Sequence, residues 1–538
     1  VFAPDWRQRA LAGLAHPFDI VVIGGGITGC GIFFDAAQRG LRVLLLERGD
    51  IASGTSSRSS KLVHGGLRYL KQMRFHLTRQ ACRERDLMLE LSPHLVKPVQ
   101  FVYPIYSGDR PPAWQVEIGL WMYDWMAKGP RHGHLDPSEL AGLVPGVPVE
   151  GLDRALVYQD ALTDDALLTL GVAGSGCDHG GLLLTRAVPE EGIRDAASRL
   201  RGLRFRDLET GEVHTAEAGL IVNAAGAWVD ALRHRLGLTG DRVRPSRGSH
   251  LVFASDRLPL QAALTIPSPD DLRPIFFIPH PEGVLVGTTD LFHEGNFDDP
   301  RPTADEGAYL LRAVQAAFPA LGISASDVRG AFAGVRPIVD TGAADPSAAS
   351  REEAVWEEEG LLSVAGGKLT TWRAMAEEVV DAALKLLPPE RARAARPCAT
   401  LTSPVGAPAP ADLAEQLART HGVEAPVAAA LARRLGAVAR TACQAADPAD
   451  LQPLLDGTDL CAAEARAHLR HGAVVRLEDL LLRRARFGLW NPAEARALVP
   501  CLAAVFKEEM GWDVNRWDRE VAATSVALEA WEPLKPGA

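Results

Sequence analysis

The sequence predicts an α/β fold: a parallel sheet assembled from three separated pieces of chain, a second, mostly antiparallel sheet, and a helical C-terminal domain. Three observations carry this. The apolar run Phe18 to Ile23 ends in Gly24-Gly25-Gly26-Ile27-Thr28-Gly29 and leads into an amphipathic stretch. Far downstream, Ala218 to Gly226 and Leu361 to Thr371 repeat the strand-to-glycine pattern. Beyond a proline-rich stretch, the chain turns to alanine, leucine and arginine at helical spacing.

The first unit reads as a dinucleotide site. Gly24 serves a tight turn, Gly26 lets the backbone approach a pyrophosphate, and Gly29 lets the next helix pack on the strand. The helix amides then face the phosphates. Glu47 closes the strand Arg42 to Leu46, about 20 residues past the turn, where a carboxylate accepts hydrogen bonds from a ribose diol.

Between the pieces of the first sheet, Ile275 to Ile278 and Val284 to Gly287 flank Pro281-Glu282-Gly283 as an antiparallel hairpin, and Ser249 to Phe253 reads as another strand. Trp114, Ile118, Trp121, Met122 and Trp125 sit at three- and four-residue spacing. They read as a buried helix, with a membrane-contacting face as the alternative. Pro388, Pro389, Pro397, Pro404, Pro408 and Pro410 mark a domain boundary. The region beyond it shows no catalytic constellation and reads as an accessory domain.

With 538 residues, 47% hydrophobic and 23% charged, the composition is that of a globular protein with two or three cores. No window reaches the ~20 apolar residues of a membrane span. No charged-then-apolar leader is seen, so the cytoplasm is the expected compartment. Seven scattered cysteines without a CxxC suggest neither a disulfide framework nor a zinc site. A net charge of −11 argues against nucleic acid as a partner. Yet from Arg58 to Arg85 the arginines, lysines and histidines face Glu84 as the only acid, a candidate steering surface for an anionic substrate or lipid.

Chemistry concentrates in four places. Thr55-Ser56-Ser57 through Lys61, Leu62 and His64-Gly65-Gly66 to Leu70 has hydroxyls, a lysine and paired glycines that could wrap a pyrophosphate and bring a histidine to a redox ring. Gly366-Gly367-Lys368-Leu369-Thr370-Thr371 opens a helix, so its amides make an anion site to which Lys368 adds charge or a grip on a phosphate. Gly334-Val335-Arg336-Pro337 sets an arginine before a backbone-restricting proline. Arg247-Gly248-Ser249-His250 puts a cation and a histidine at the mouth of the second sheet.

Together with Gly287-Thr288-Thr289-Asp290, these motifs, in this order, resemble the FAD-dependent glycerol-3-phosphate dehydrogenases and the related glycerophosphate oxidases from about Phe18 to Met375. One departure is Ala224-Ala225-Gly226, where many such flavoproteins have Ala-Thr-Gly. The resemblance implies a glutathione-reductase-type FAD-binding domain (16–90, 150–240 and 335–387), an antiparallel-sheet substrate domain (91–149 and 241–334), a linker (388–410) and a helical domain (411–538). It implies FAD contacts from Gly24, Gly26, Ile27, Thr28, Gly29, Glu47, Arg48, Thr55, Ser56, Ser57, Lys61, Leu62, His64, Gly226, Gly367, Lys368, Leu369 and Thr370. Arg68, Tyr69, Arg336 and Lys368 would surround the substrate phosphate and hydroxyls, with His64 or His250 as the base.

The implied reaction is oxidation of sn-glycerol 3-phosphate to dihydroxyacetone phosphate, with electrons passed to a membrane quinone from a peripheral position on the inner face of the cytoplasmic membrane. An oxidase that reduces oxygen to hydrogen peroxide is the alternative, as is an FAD-dependent amino-acid or amine oxidase. A third, of another class, is a flavin-bearing interaction or sensor module whose helical tail is the working part. Whether the chain forms a homodimer is left open.

Overall fold

The computed structural model describes residues 2–67, 70, 73–342 and 353–534. Strand Phe18–Ile23 is buried at every position, as a strand paired in parallel on both sides must be when helices cover its faces. It runs between Val43–Leu46 and Val213–Asn223, and Leu361–Ala365 continues the sheet beyond the latter, all in parallel. The three pieces marked by glycines thus meet as neighbouring strands. Helix Ile27–Gln38 packs on this sheet beside Asp165–Asp178 and Trp372–Leu386, sharing a core that includes Phe33, Phe34 and Met375.

Among the described residues the second sheet has ten strands, antiparallel except where Ala263–Pro267 runs parallel to Val96–Tyr106. Ser246–Phe253 lies between Gly283–Gly287 and Val328–Arg336, which sets His250 opposite Gly287 and Ser246 opposite Arg336. Leu152–Thr163 pairs with Val96–Tyr106 and with Leu62–Val63. This corrects the division read from the sequence, because 152–163, 62–63 and Val335-Arg336 belong to the second sheet. Alternation marks a strand, but its partner is chosen by residues far away in the chain.

The stretch 388–410 is ordered rather than a bare tether: Pro389–Ala394 is helical, and the amide of buried Val405 donates to Ser92 Oγ at 3.1 Å. Helix Ala113–Met126 overturns the expectation of a buried element. Trp114, Ile118, Trp121 and Trp125 are 62%, 50%, 55% and 80% exposed, while Leu120 and Tyr123 supply the buried side. The helix has apolar residues on both faces, and the core takes the smaller set.

The C-terminal helices run from Leu413–His421 to Val514–Glu529. One core gathers Leu413, Val427 and Leu431, and another gathers Leu477, Leu502 and Phe506. Leu482, Leu489, Trp490, Leu528 and Trp531 instead share a core with Phe101, Tyr158 and Phe332 of the second sheet. This domain is built into the body of the molecule.

Candidate active site

A cavity of about 2170 Å³ extends from the first glycine turn to the second sheet. Pockets for one small molecule span about 300–1,000 Å³, so this one has room for a large cofactor and a second molecule. At its nucleotide end Gly24 has φ 116°, and a Cβ on Gly29 would lie 1.9 Å from the Gly24 carbonyl oxygen. Only glycines allow strand, turn and helix to approach this closely. Helix Ile27–Gln38 begins without a side-chain cap on Gly26, and its first turn lines the cavity, which points amides and the positive helix end inward. Ser56 Oγ accepts from the Ile27 amide at 2.9 Å and ties the following loop to that turn.

Glu47 closes this end, accepting from the amides of Gly25 at 2.5 Å and Gly49 at 2.6 Å. Burial raises its pKa and the two amides oppose the rise. Each oxygen keeps a second lone pair for a diol. Arg48 lies 4.5 Å over the Trp228 ring, and both border the cavity.

At the other end His64 follows strand Leu62–Val63, and its amide donates to Thr370 Oγ1 at 3.1 Å while that hydroxyl donates to the His64 carbonyl at 3.3 Å. Two motifs far apart in the chain are thereby stitched together, and Lys368 lines the same cavity. The next amide, Gly65, is shared between Tyr123 Oη and Asp160 Oδ1, both at 3.0 Å. Arg85 bonds the same two atoms at 2.8 and 2.9 Å and neutralises the buried carboxylate.

His250 Nε2 lies 2.8 Å from Ser60 Oγ, and its ring stacks on Phe332 with centroids 4.9 Å apart. Burial, reinforced by Arg336 and Lys61, holds its pKa well below the ordinary value. Arg336 donates to Asp290 Oδ1 at 3.1 Å and Thr288 Oγ1 at 3.0 Å. Its guanidinium lies over Gly248, where a Cβ would come within 2.0 Å of a guanidinium nitrogen. A glycine on one strand therefore makes room for the arginine of the next.

Among the sequence-derived positions, Gly24, Gly26, Ile27, Thr28, Glu47, Arg48, Thr55, Ser56, Leu62, Gly226, Gly367, Leu369 and Thr370 line the cavity, together with His64, His250, Arg336 and Lys368. Gly29 is taken up by the helix–strand contact. Ser57 and Lys61 require correction. Ser57 is buried away from the cavity. Lys61, fully buried, donates to Asp165 Oδ1 at 2.8 Å and the Ser57 carbonyl at 3.2 Å, so its ammonium does not wrap a phosphate. Burial also lowers its pKa to about 8. A carboxylate about a hundred residues away captures it, which no local pattern announces. Arg68 and Tyr69 lie outside the described residues.

The sequence reading missed Asp160 and Tyr123 beneath Gly65 and set Arg85 in a steering surface, whereas it is buried against them; it also missed Leu482, Arg483 and Trp531 of the C-terminal domain, which form part of the cavity wall. Only the paired glycines after His64 hinted at a close neighbour, and they do not name it.

The family model described as FAD dependent oxidoreductase matches residues 19–382, and that of the C-terminal domain of alpha-glycerophosphate oxidase matches 398–517. The aerobic glycerol-3-phosphate dehydrogenase of Staphylococcus haemolyticus is 38% identical over 393 residues, which cover 72% of this chain and 71% of that protein. The structure of the glycerol-3-phosphate dehydrogenase from Bacillus halodurans complexed with FAD superposes with a TM-score of 0.79 at 27% identity, covering 100% of both chains. The glycine oxidase from Geobacillus kaustophilus shares the fold, with a TM-score of 0.54 at 21% identity over 69% of this chain and 95% of its own. The uncapped helix start, the glycine cradle and the acid at Glu47 suit the pyrophosphate and ribose of FAD. With that cradle, these motifs and both family models on one chain, the protein belongs to the FAD-dependent oxidoreductases, in the glycerol-3-phosphate dehydrogenase family.

Proposed function

We propose that this protein oxidises sn-glycerol 3-phosphate to dihydroxyacetone phosphate. The observation that carries the reading is that His64, Arg336 and Lys368 line the same cavity as the nucleotide cradle. An imidazole for a hydroxyl proton and cations for a phosphate ester are what this substrate requires. Bound FAD supplies the acceptor, flavin N5, for the hydride that leaves C2.

His64 removes the hydroxyl proton. His250 is the weaker candidate, since burial and its cationic neighbours disfavour its protonated form and its Nε2 is engaged with Ser60. Arg336, oriented by Asp290 and Thr288, steadies the substrate oxygen as the proton leaves. Lys368 grips the phosphate. Mixing the purified protein with glycerol 3-phosphate without oxygen is expected to bleach the flavin within the turnover time. Persistent yellow colour would refute the assignment.

Electrons then pass to a membrane quinone. The C-terminal match to alpha-glycerophosphate oxidase favours oxygen as a second reading, and peroxide yield measured beside quinone-analogue reduction separates the two. Peripheral attachment is supported by the exposed row Trp114, Ile118, Trp121 and Trp125, whose first two members border the cavity mouth. Among the described residues no helix is long and apolar enough to cross a membrane. Replacing Trp121 and Trp125 together with serine is expected to lower flotation with anionic liposomes about tenfold at unchanged flavin content. Equal flotation of the variant would remove this face from the attachment site.

A further inference from the structure

The C-terminal domain carries Arg483, Arg484 and Arg486 almost in succession, and all three are buried. Successive side chains of an α-helix diverge by about 100°. The π-helical turn Leu480–Arg484 instead brings two of them onto one carboxylate. Arg483 Nε donates to Asp50 Oδ2 at 2.5 Å, and Arg484 donates through both terminal nitrogens, one of them to Oδ1 at 2.9 Å. Arg486 donates to Asp165 Oδ1 at 2.7 Å, on the carboxylate that also holds Ser59 and Lys61. Arg186 closes the frame. Its amide donates to the Gly49 carbonyl at 3.0 Å, and its side chain meets Asp479, which also takes Arg483.

Asp50 and Asp165 therefore anchor the two ends of the segment 47–61. That segment supplies the cavity wall at Glu47, Arg48, Ser53, Thr55 and Ser56. Asp50, Arg484 and Arg486 themselves do not line the cavity. Connecting segments of this kind are ordinarily mobile, and a wall immobilised beforehand loses less freedom when a ligand arrives. We infer that the C-terminal domain is the catch that retains FAD: its arginine cluster immobilises the 47–61 wall through two buried carboxylates. Cofactor affinity is thereby governed from outside the nucleotide fold, with Arg484 and Arg486 acting as positioning residues set off the cavity lining.

The test uses full-length Arg484→Gln and the conservative Arg484→Lys. FAD dissociation is followed by recovery of flavin fluorescence on dilution and by titrating apoprotein with FAD, with the melting temperature of each apoprotein measured alongside. The expected result is a rise in the FAD dissociation constant of about tenfold or more for Arg484→Gln and a smaller rise for Arg484→Lys, with both apoproteins still folded. An unchanged dissociation constant in both variants, with apo and holo melting temperatures falling together, would overturn the inference and leave the cluster as a domain contact. Should Arg484→Gln fail to fold, Arg484→Lys and Arg486→Lys decide by the same titration: raised constants support the catch and unchanged ones reject it.

Discussion

Exchanging His64 for glutamine is expected to lower kcat for glycerol 3-phosphate by about 10²–10⁴ while leaving FAD bound. The variant keeps the main-chain bonds to Thr370, because these involve the backbone of residue 64. The wall should therefore stay in place while the proton acceptor is lost. Rapid mixing with substrate isolates this step from reoxidation by any electron acceptor. Without an internal base the rate of flavin reduction should climb with pH, since hydroxide then takes the proton. A variant that reduces flavin at the parental rate, or with the parental pH profile, would transfer the role to another group.

Replacing Arg336 with alanine is expected to cost about 10²–10³ in kcat/KM. The guanidinium is held by Asp290 and Thr288 and borders the cavity, so in the proposed role it would meet the transition state already oriented. Alanine removes the donor and also leaves the buried Asp290 without this partner. Arg336→Lys separates the two effects. It keeps a charge near Asp290 but loses the planar fork that spans carboxylate and hydroxyl, so it should recover flavin content fully and kcat/KM only in part. Full recovery of kcat/KM with lysine would reduce the role to simple charge. No loss with alanine would dismiss it.

The nucleotide end was legible in the sequence because its signals are local. Gly24 and Gly29 meet across one turn, and Glu47 closes the adjacent strand. The other end of the cavity was visible as a set of motifs, but only pairing between distant strands sets His250 and Arg336 on neighbouring strands and joins His64 to Thr370. Lys61 shows the limit. A lysine among hydroxyls suits a phosphate loop, yet Asp165 draws it into the interior. The aromatic helix shows another, since three- and four-residue spacing defines a stripe without saying which side of the helix the core will accept.

By itself the sequence determined the class of fold, the cofactor's cradle and the family, because glycine turns, buried strand runs and helix starts are set by neighbours within a few dozen residues. The tertiary structure alone decided that Lys61 is a buried ion pair, that the tryptophan row faces outward, and that arginines from the C-terminal domain pair with Asp50. Those outcomes depend on which charges and apolar faces find one another after folding, and contacts made across hundreds of residues leave no pattern in the order of the chain.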